Sequence, residues 1–306
     1  MSPGPKEQQM KRGDFHGEET LVLENEHLHV EVLADAGPRI VRLQLGGSSE
    51  NLLGEVPDVG WDTPWGRYRL RGGHRLWVAP ESPPFASAPE GGALVVDERP
   101  RGVRLERLEP ETGLRKAIEL ELAADRAAVT VIHSLRNENE TAVVQAPWAI
   151  TILPLGGVAV LPQQRGPIGE SDSEPNRSLA FWPYGSISDS RLELGDELVL
   201  VRAEPVPATF KIGYLNRSGW VAFLRDGVLF CKHFDPQVER AHADLNSNVE
   251  VYCDARLLEL ETLAPLSRLE PGAEAEHEER WELHRVGTVE PSIKRLTALL
   301  TKLELA

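Results

Sequence analysis

ALVVDERPRGVRLERLEPETGLRKAIELELAADRAAVTVI, residues 93–132, is built from short runs in which apolar and polar side chains alternate. Ala93-Leu94-Val95-Val96, Gly102-Val103-Arg104-Leu105, Ile118-Glu119-Leu120-Glu121-Leu122 and Val129-Thr130-Val131-Ile132 recur about a dozen residues apart. A period of two sends successive side chains to opposite faces of a strand. Strands at this spacing, with turn residues between them, read as antiparallel meanders.

The same texture extends in both directions. Upstream, Leu21-Val22-Leu23, then Leu28, Val30 and Val32, then Ile40, Val41, Leu43 and Leu45 read as strands, separated by turns at Ala36-Gly37-Pro38 and Gly46-Gly47-Ser48. Downstream, strands are expected at 148–153, 197–202, 220–224, 227–232, 248–254 and 256–262. Leu296, Leu299, Leu300 and Leu303 stand at helical spacing, so a helix is expected from Ile293 to Leu303, packed on the edge of the strands. Residues 51–90, with many Pro, Gly and Trp, and residues 162–192, rich in Ser, Pro, Gly and Asp, read as long loops. The first carries Trp61, Trp65, Tyr68, Trp77 and Phe85, suited to an internal plug or to a wall on which sugar rings stack. The expected organisation is a loose tail at 1–15, one β domain at 16–290 and a packed C-terminal helix at 291–306.

Composition sets the outer limits. The chain has 306 residues, 41% of them hydrophobic, which is ample for a large core. Asp and Glu number 48 against 33 Lys and Arg, a net charge of −15, which repels nucleic-acid phosphates and anionic lipid headgroups. Two cysteines, Cys231 and Cys253, make no disulfide framework. No signal-like or membrane-length apolar run occurs, so a cytoplasmic location is the expectation.

Four segments carry candidate chemistry. Gly72-Gly73-His74-Arg75-Leu76-Trp77-Val78-Ala79-Pro80-Glu81 offers an acid/base in His74, a hydroxyl or anion clamp in Arg75 and a stacking plane in Trp77. The alternative for His74 is a structural imidazole in a tight loop. In Asn246-Ser247-Asn248-Val249-Glu250-Val251-Tyr252, a strand would put Asn246, Asn248, Glu250 and Tyr252 on one face and the valines on the other. In Leu257-Leu258-Glu259-Leu260-Glu261-Thr262-Leu263, Glu259 and Glu261 share a face, where a second carboxylate or partial burial would raise one pKa toward that of a general base. A plain solvated face is the alternative for both strands. In Phe230-Cys231-Lys232-His233-Phe234, only one of Lys232 and His233 can face a given site, and Cys231 reads as core. His27-Leu28-His29 lacks a third ligand, so no metal site is expected, and no cofactor motif is present.

In this order the segments resemble the galactose mutarotase-like superfamily, and within it an uncharacterised DUF4380-like branch. The resemblance runs from Leu23-Glu24-Asn25-Glu26-His27-Leu28-His29-Val30 through GGHRLWVAPE at 72–81 and NVEVY at 248–252 to LELETLAPLSRLEPGAEAEHEERWEL at 258–283. It implies an all-β antiparallel supersandwich with a polar cleft on one curved sheet, binding a sugar or sugar acid. It also implies an aldose 1-epimerase chemistry, in which Glu261, before Thr262, is the base on the anomeric hydroxyl and His74 touches the sugar. Arg75, Trp77, Lys232, Asn248, Glu250 and Glu259 complete the expected binding set. The superfamily's usual acid histidine has no counterpart in Gln145–Thr151, so the acid is His74, Lys232, His233, or none. A non-catalytic carbohydrate-binding protein and a lyase or hydrolase on the same fold are the alternatives.

Overall fold

A computed structural model describes residues 10–86, 88–92, 94–163 and 175–305. Two antiparallel sheets face each other. The first has the strand order Lys11–Phe15, Glu18–Glu24, Leu28–Leu33, Arg39–Leu45, His74–Ala79, Val143–Leu153, Leu258–Leu263, Val249–Cys253, Phe210–Tyr214 and Ala180–Phe181, with Ser267–Leu269 added beside Val143–Leu153. The second runs Leu192–Leu194, Leu198–Arg202, Val158–Pro162, Trp220–Arg225, Val228–Phe234, Glu274–Arg285, Ala128–Asn137, Leu114–Leu122, Gly102–Glu109 and Val95–Arg99. The meander read at 93–132 forms one end of this second sheet.

Alternation explains why the sheets pack. Val249, Val251, Leu258 and Leu260 point inward from the first sheet and meet Val129, Val131, Phe230 and Trp281 from the second in one apolar layer. The side chains between them along each strand, Glu250, Glu259 and Glu261, point the other way. The helix Ile293–Lys302 lays Leu296 and Leu300 on the outer face of the second sheet, against Val160, Leu200 and Leu229. No helix among the described residues is long and apolar enough to cross a membrane.

Two expectations need correction. Residues 11–15 are not a loose tail: Lys11–Phe15 pairs with Glu18–Glu24 through a two-residue turn, His16-Gly17, both at positive φ, and Phe15 is buried. Residues 1–9 lie outside the described residues. Residues 51–90 are not simply a loop. They hold the hairpin Glu55–Thr63/Gly66–Gly72 and the fully buried strand His74–Ala79. Pro57 and a register shift between Val56 and Gly60 hide the alternation of that hairpin in the sequence. Part of the loop expected at 162–192 (164–174) lies outside the described residues.

Candidate functional site

The outward face of the first sheet carries a cavity of about 570 Å³. Its floor comes from alternate residues of neighbouring strands: Arg75 and Trp77, Trp148 and Ile150, Glu259, Tyr252 and Lys211. The hairpin contributes Trp61 and Leu70, and the segment after Ala180–Phe181 contributes Trp182 and Tyr184. Asp244, Asp254 and Arg256 close the remaining side. The hydrophobic cluster of Tyr68, Trp77, Trp148, Ile150 and Leu257 holds these aromatic planes in place.

Two charged groups organise the floor. Arg75 donates from Nη2 to Glu259 Oε1 at 3.0 Å and lies 5.3 Å over the Trp77 ring. Its Nε and Nη1 are buried without a partner. Burial is the largest single influence and opposes the charge, but Glu259 together with Tyr68 and Glu90 outweighs it and raises the pKa, so the guanidinium stays charged. A buried, charged group with two free donors is costly unless something binds it.

Lys211 sits between two carboxylates, 2.6 Å from Glu250 Oε2 and 3.0 Å from Glu261 Oε2, and is stacked between Trp148 (4.5 Å) and Trp182 (4.7 Å). Trp148 Nε1 donates to the same Glu261 oxygen at 2.9 Å. The other oxygens, Glu250 Oε1 and Glu261 Oε1, have no hydrogen-bond partner. Burial raises both carboxyl pKa values, Glu250 far above the usual carboxylate range. Lys211 pulls each down, while Glu261 raises Glu250 further and Glu259 raises Glu261. Two buried carboxylates share one ammonium, so burial and their mutual repulsion outweigh its attraction and both pKa values stay raised.

Of the residues singled out in the sequence, Arg75, Trp77 and Glu259 line the cavity, and Glu250 and Glu261 stand beneath it, each fully buried behind Lys211. His74 does not join them. It is adjacent to Arg75 on a strand, so the period of two turns it inward, away from Glu261. Lys232 belongs to the second sheet and also points inward, toward the Leu260 carbonyl. Asn248 lies just before its strand; its amide binds the backbone of Asn216 and Pro236 rather than facing the cavity. His233, the other acid considered, lies beside Glu282. Among the described residues no histidine lines the cavity.

His74 and Lys232 meet instead in a polar layer between the sheets, whose donors run in one consistent direction. His133 Nδ1 donates to the His277 carbonyl (2.8 Å), so its Nε2 accepts from His74 Nε2 (2.7 Å), and His74 Nδ1 accepts from Thr151 Oγ1 (2.9 Å). Lys232 donates to Thr151 Oγ1 (3.0 Å) and pairs with Glu279 at 2.8 Å. Glu279 also accepts from Thr262 and, at 2.8 Å, from Trp281 Nε1, while Thr262 accepts from His277 Nε2 (2.7 Å). The chain of donors requires neutral imidazoles, and burial lowers the pKa of all three, His277 down to about 3. His74, His133 and Glu279 hold donor atoms within 4.8 Å of one another, but the Lys232 ammonium already supplies the positive charge there.

Sequence reasoning missed Lys211, Trp148, Trp182 and Tyr184. For Lys211 the signal was present: in Phe210-Lys211-Ile212-Gly213-Tyr214 the apolar residues take the inner face, leaving one lysine on the outer. For the other three it was not, since their meeting depends on strands distant in the chain.

Comparison with solved structures decides the architecture. A candidate aldose 1-epimerase from Escherichia coli K12 superposes with a TM-score of 0.52 at 13% identity, over 87% of this chain and 99% of that one. The fold is that of the galactose mutarotase-like sandwiches. A candidate mutarotase from Salmonella typhimurium gives 0.58 at 10% identity, over 92% of this chain and 96% of that one. A TPR-domain-containing protein from Parabacteroides distasonis gives 0.61 at 14% identity, over 90% of this chain but 50% of that one, so this chain spans about half its length. No family model matches the sequence, and no curated protein does.

Proposed function

We propose that this mutarotase-like sandwich binds a carbohydrate in the cleft of its first sheet. The observation that carries the reading is Arg75, held over Trp77 by Glu259 with two buried N–H-bearing nitrogens left free. Aromatic planes beside fixed polar donors match the two surfaces of a sugar ring, apolar C–H faces and a hydroxyl edge. Candidate epimerases and mutarotases on the same fold add support. Calorimetric titration with a sugar panel tests the reading; the result expected is saturable binding by at least one sugar and none by non-carbohydrate polyanions, which the acidic chain repels.

Anomer interconversion is a second reading, favoured by the Glu250–Lys211–Glu261 cluster. There a carboxylate of raised pKa with a free oxygen, Glu261 Oε1, neighbours an ammonium on the cavity wall. In that reading Glu261 removes the anomeric proton. Glu261→Gln should then abolish mutarotation, a loss of about 10²- to 10⁴-fold, while sugar affinity stays within about tenfold. Polarimetry on fresh α-anomers checks it. Unchanged turnover in the variant would exclude Glu261 as base, and absence of turnover in the wild type on any common aldose would leave binding alone.

A further inference from the structure

We infer that the ligand of this cleft has two linked sugar rings, not one; the inference rests on the carbohydrate reading above. The cavity holds two neighbouring recognition sets, each pairing a cation with a partly exposed aromatic ring, Trp61 in one and Trp182 with Tyr184 in the other. One is built on Trp77, with Arg75 5.3 Å over it and Glu259 paired to Arg75. Its outer wall is Trp61, fixed through Tyr68, which packs 4.7 Å from Trp61 and 5.5 Å from Trp77. The other is built on Trp148 and Trp182, with the Lys211 ammonium 4.5 Å and 4.7 Å from their rings. Unpartnered oxygens of Glu250 and Glu261 lie behind that ammonium.

The first set leaves Arg75 Nε and Nη1 without a partner, and the second brings the Lys211 ammonium to the cavity wall. One ring seated on the first set would leave the second set's ring and ammonium uncovered. Volume points the same way. A hexose has roughly twelve non-hydrogen atoms, which even at the loose spacing of liquid water, about 30 Å³ each, fill only about 360 Å³. The cavity measures about 570 Å³. Two linked hexoses, roughly 23 atoms, occupy it at about 25 Å³ per atom, denser than water and looser than a protein interior. At the mouth, Trp61 is 41% exposed and Tyr184 50% exposed, large rings left uncovered beside a polar cleft. They continue the stacking surface outward, where a second ring extends past the first.

The test is calorimetry on the intact chain with glucose, galactose, their methyl glycosides, and 1,4- and 1,6-linked disaccharides of both. At least one disaccharide should bind about tenfold or more tightly than its constituent hexoses. Trp182→Ala should weaken that disaccharide by about tenfold, and it should leave the better-bound hexose, or weaken it, differently from Trp61→Ala, because the two tryptophans serve different rings. Tyr184→Ala, at an exposed position, gives a second variant that spares the fold. Disaccharides that bind no better than hexoses, or hexose binding lost equally in Trp61→Ala and Trp182→Ala, would overturn the two-ring inference and leave carbohydrate binding standing. Absence of binding by every sugar would overturn both.

Discussion

Lys211→Met should destabilise the fold by about 3–5 kcal/mol, because it leaves two buried carboxylates facing each other without their cation. Glu250 and Glu261 have side chains with no solvent exposure, and Lys211 is the ammonium that both contact. Methionine keeps the stem packed between Trp148 and Trp182, so the loss reports charge and not volume. The internal control is Lys211→Met/Glu250→Gln, which removes one carboxylate with the ammonium and should recover more than half of the loss. Urea denaturation measures both. A change below about 1 kcal/mol in the single variant would mean that the cluster is already neutral without the lysine.

The second large effect lies between the sheets. Lys232→Met should cost about 3–5 kcal/mol by stranding Glu279 in a layer with no exposed side chain. The same layer sets the acid response. His74, His133 and His277 are neutral in the fold and take up protons near pH 6.5 once unfolded. Below that pH the unfolded state binds up to three more protons here, so stability falls as pH falls. Glu250 and Glu261, with raised pKa values, work in the opposite sense above pH 4.5, by at most two protons. Three against at most two leaves a loss of about 1.4 kcal/mol per pH unit or more once the unfolded histidines are fully protonated. The decline steepens below pH 4.5, where carboxylates that the fold keeps ionised, Glu279 among them, are protonated in the unfolded chain. Urea midpoints at pH 7, 5.5 and 4 should fall in that order; a stability that stays level or rises toward pH 4 would contradict the neutral-histidine network.

Much of the fold was legible because alternation survives where one face is apolar. Leu258-Glu259-Leu260-Glu261 shows its inner face directly, and the two sheets follow from many such runs. The site was legible residue by residue but not as an assembly. Arg75 and His74 were read as one functional pair, yet neighbours on a strand cannot share a face. His74 instead finds His133, 59 residues away, a contact set by packing of the sheets and invisible to any local pattern. The hairpin at 55–72 was masked by Pro57 and by its irregular register. The signal at Lys211, one cation in a five-residue apolar run, is not a motif by itself; its meaning comes from Glu250 on the adjacent strand and Glu261 on the strand beyond.

The central claim is that Arg75 presents its free donors to a sugar, and one measurement tests it most directly. The best-bound saccharide of the panel is titrated into the wild type and into Arg75→Met/Glu259→Gln, which removes the cation together with its buried counter-charge. Two hydrogen bonds from a charged donor, at about 1.5–3 kcal/mol each, predict an affinity loss of about 10²-fold or more with the fold intact. Equal affinity in the two proteins would contradict the account.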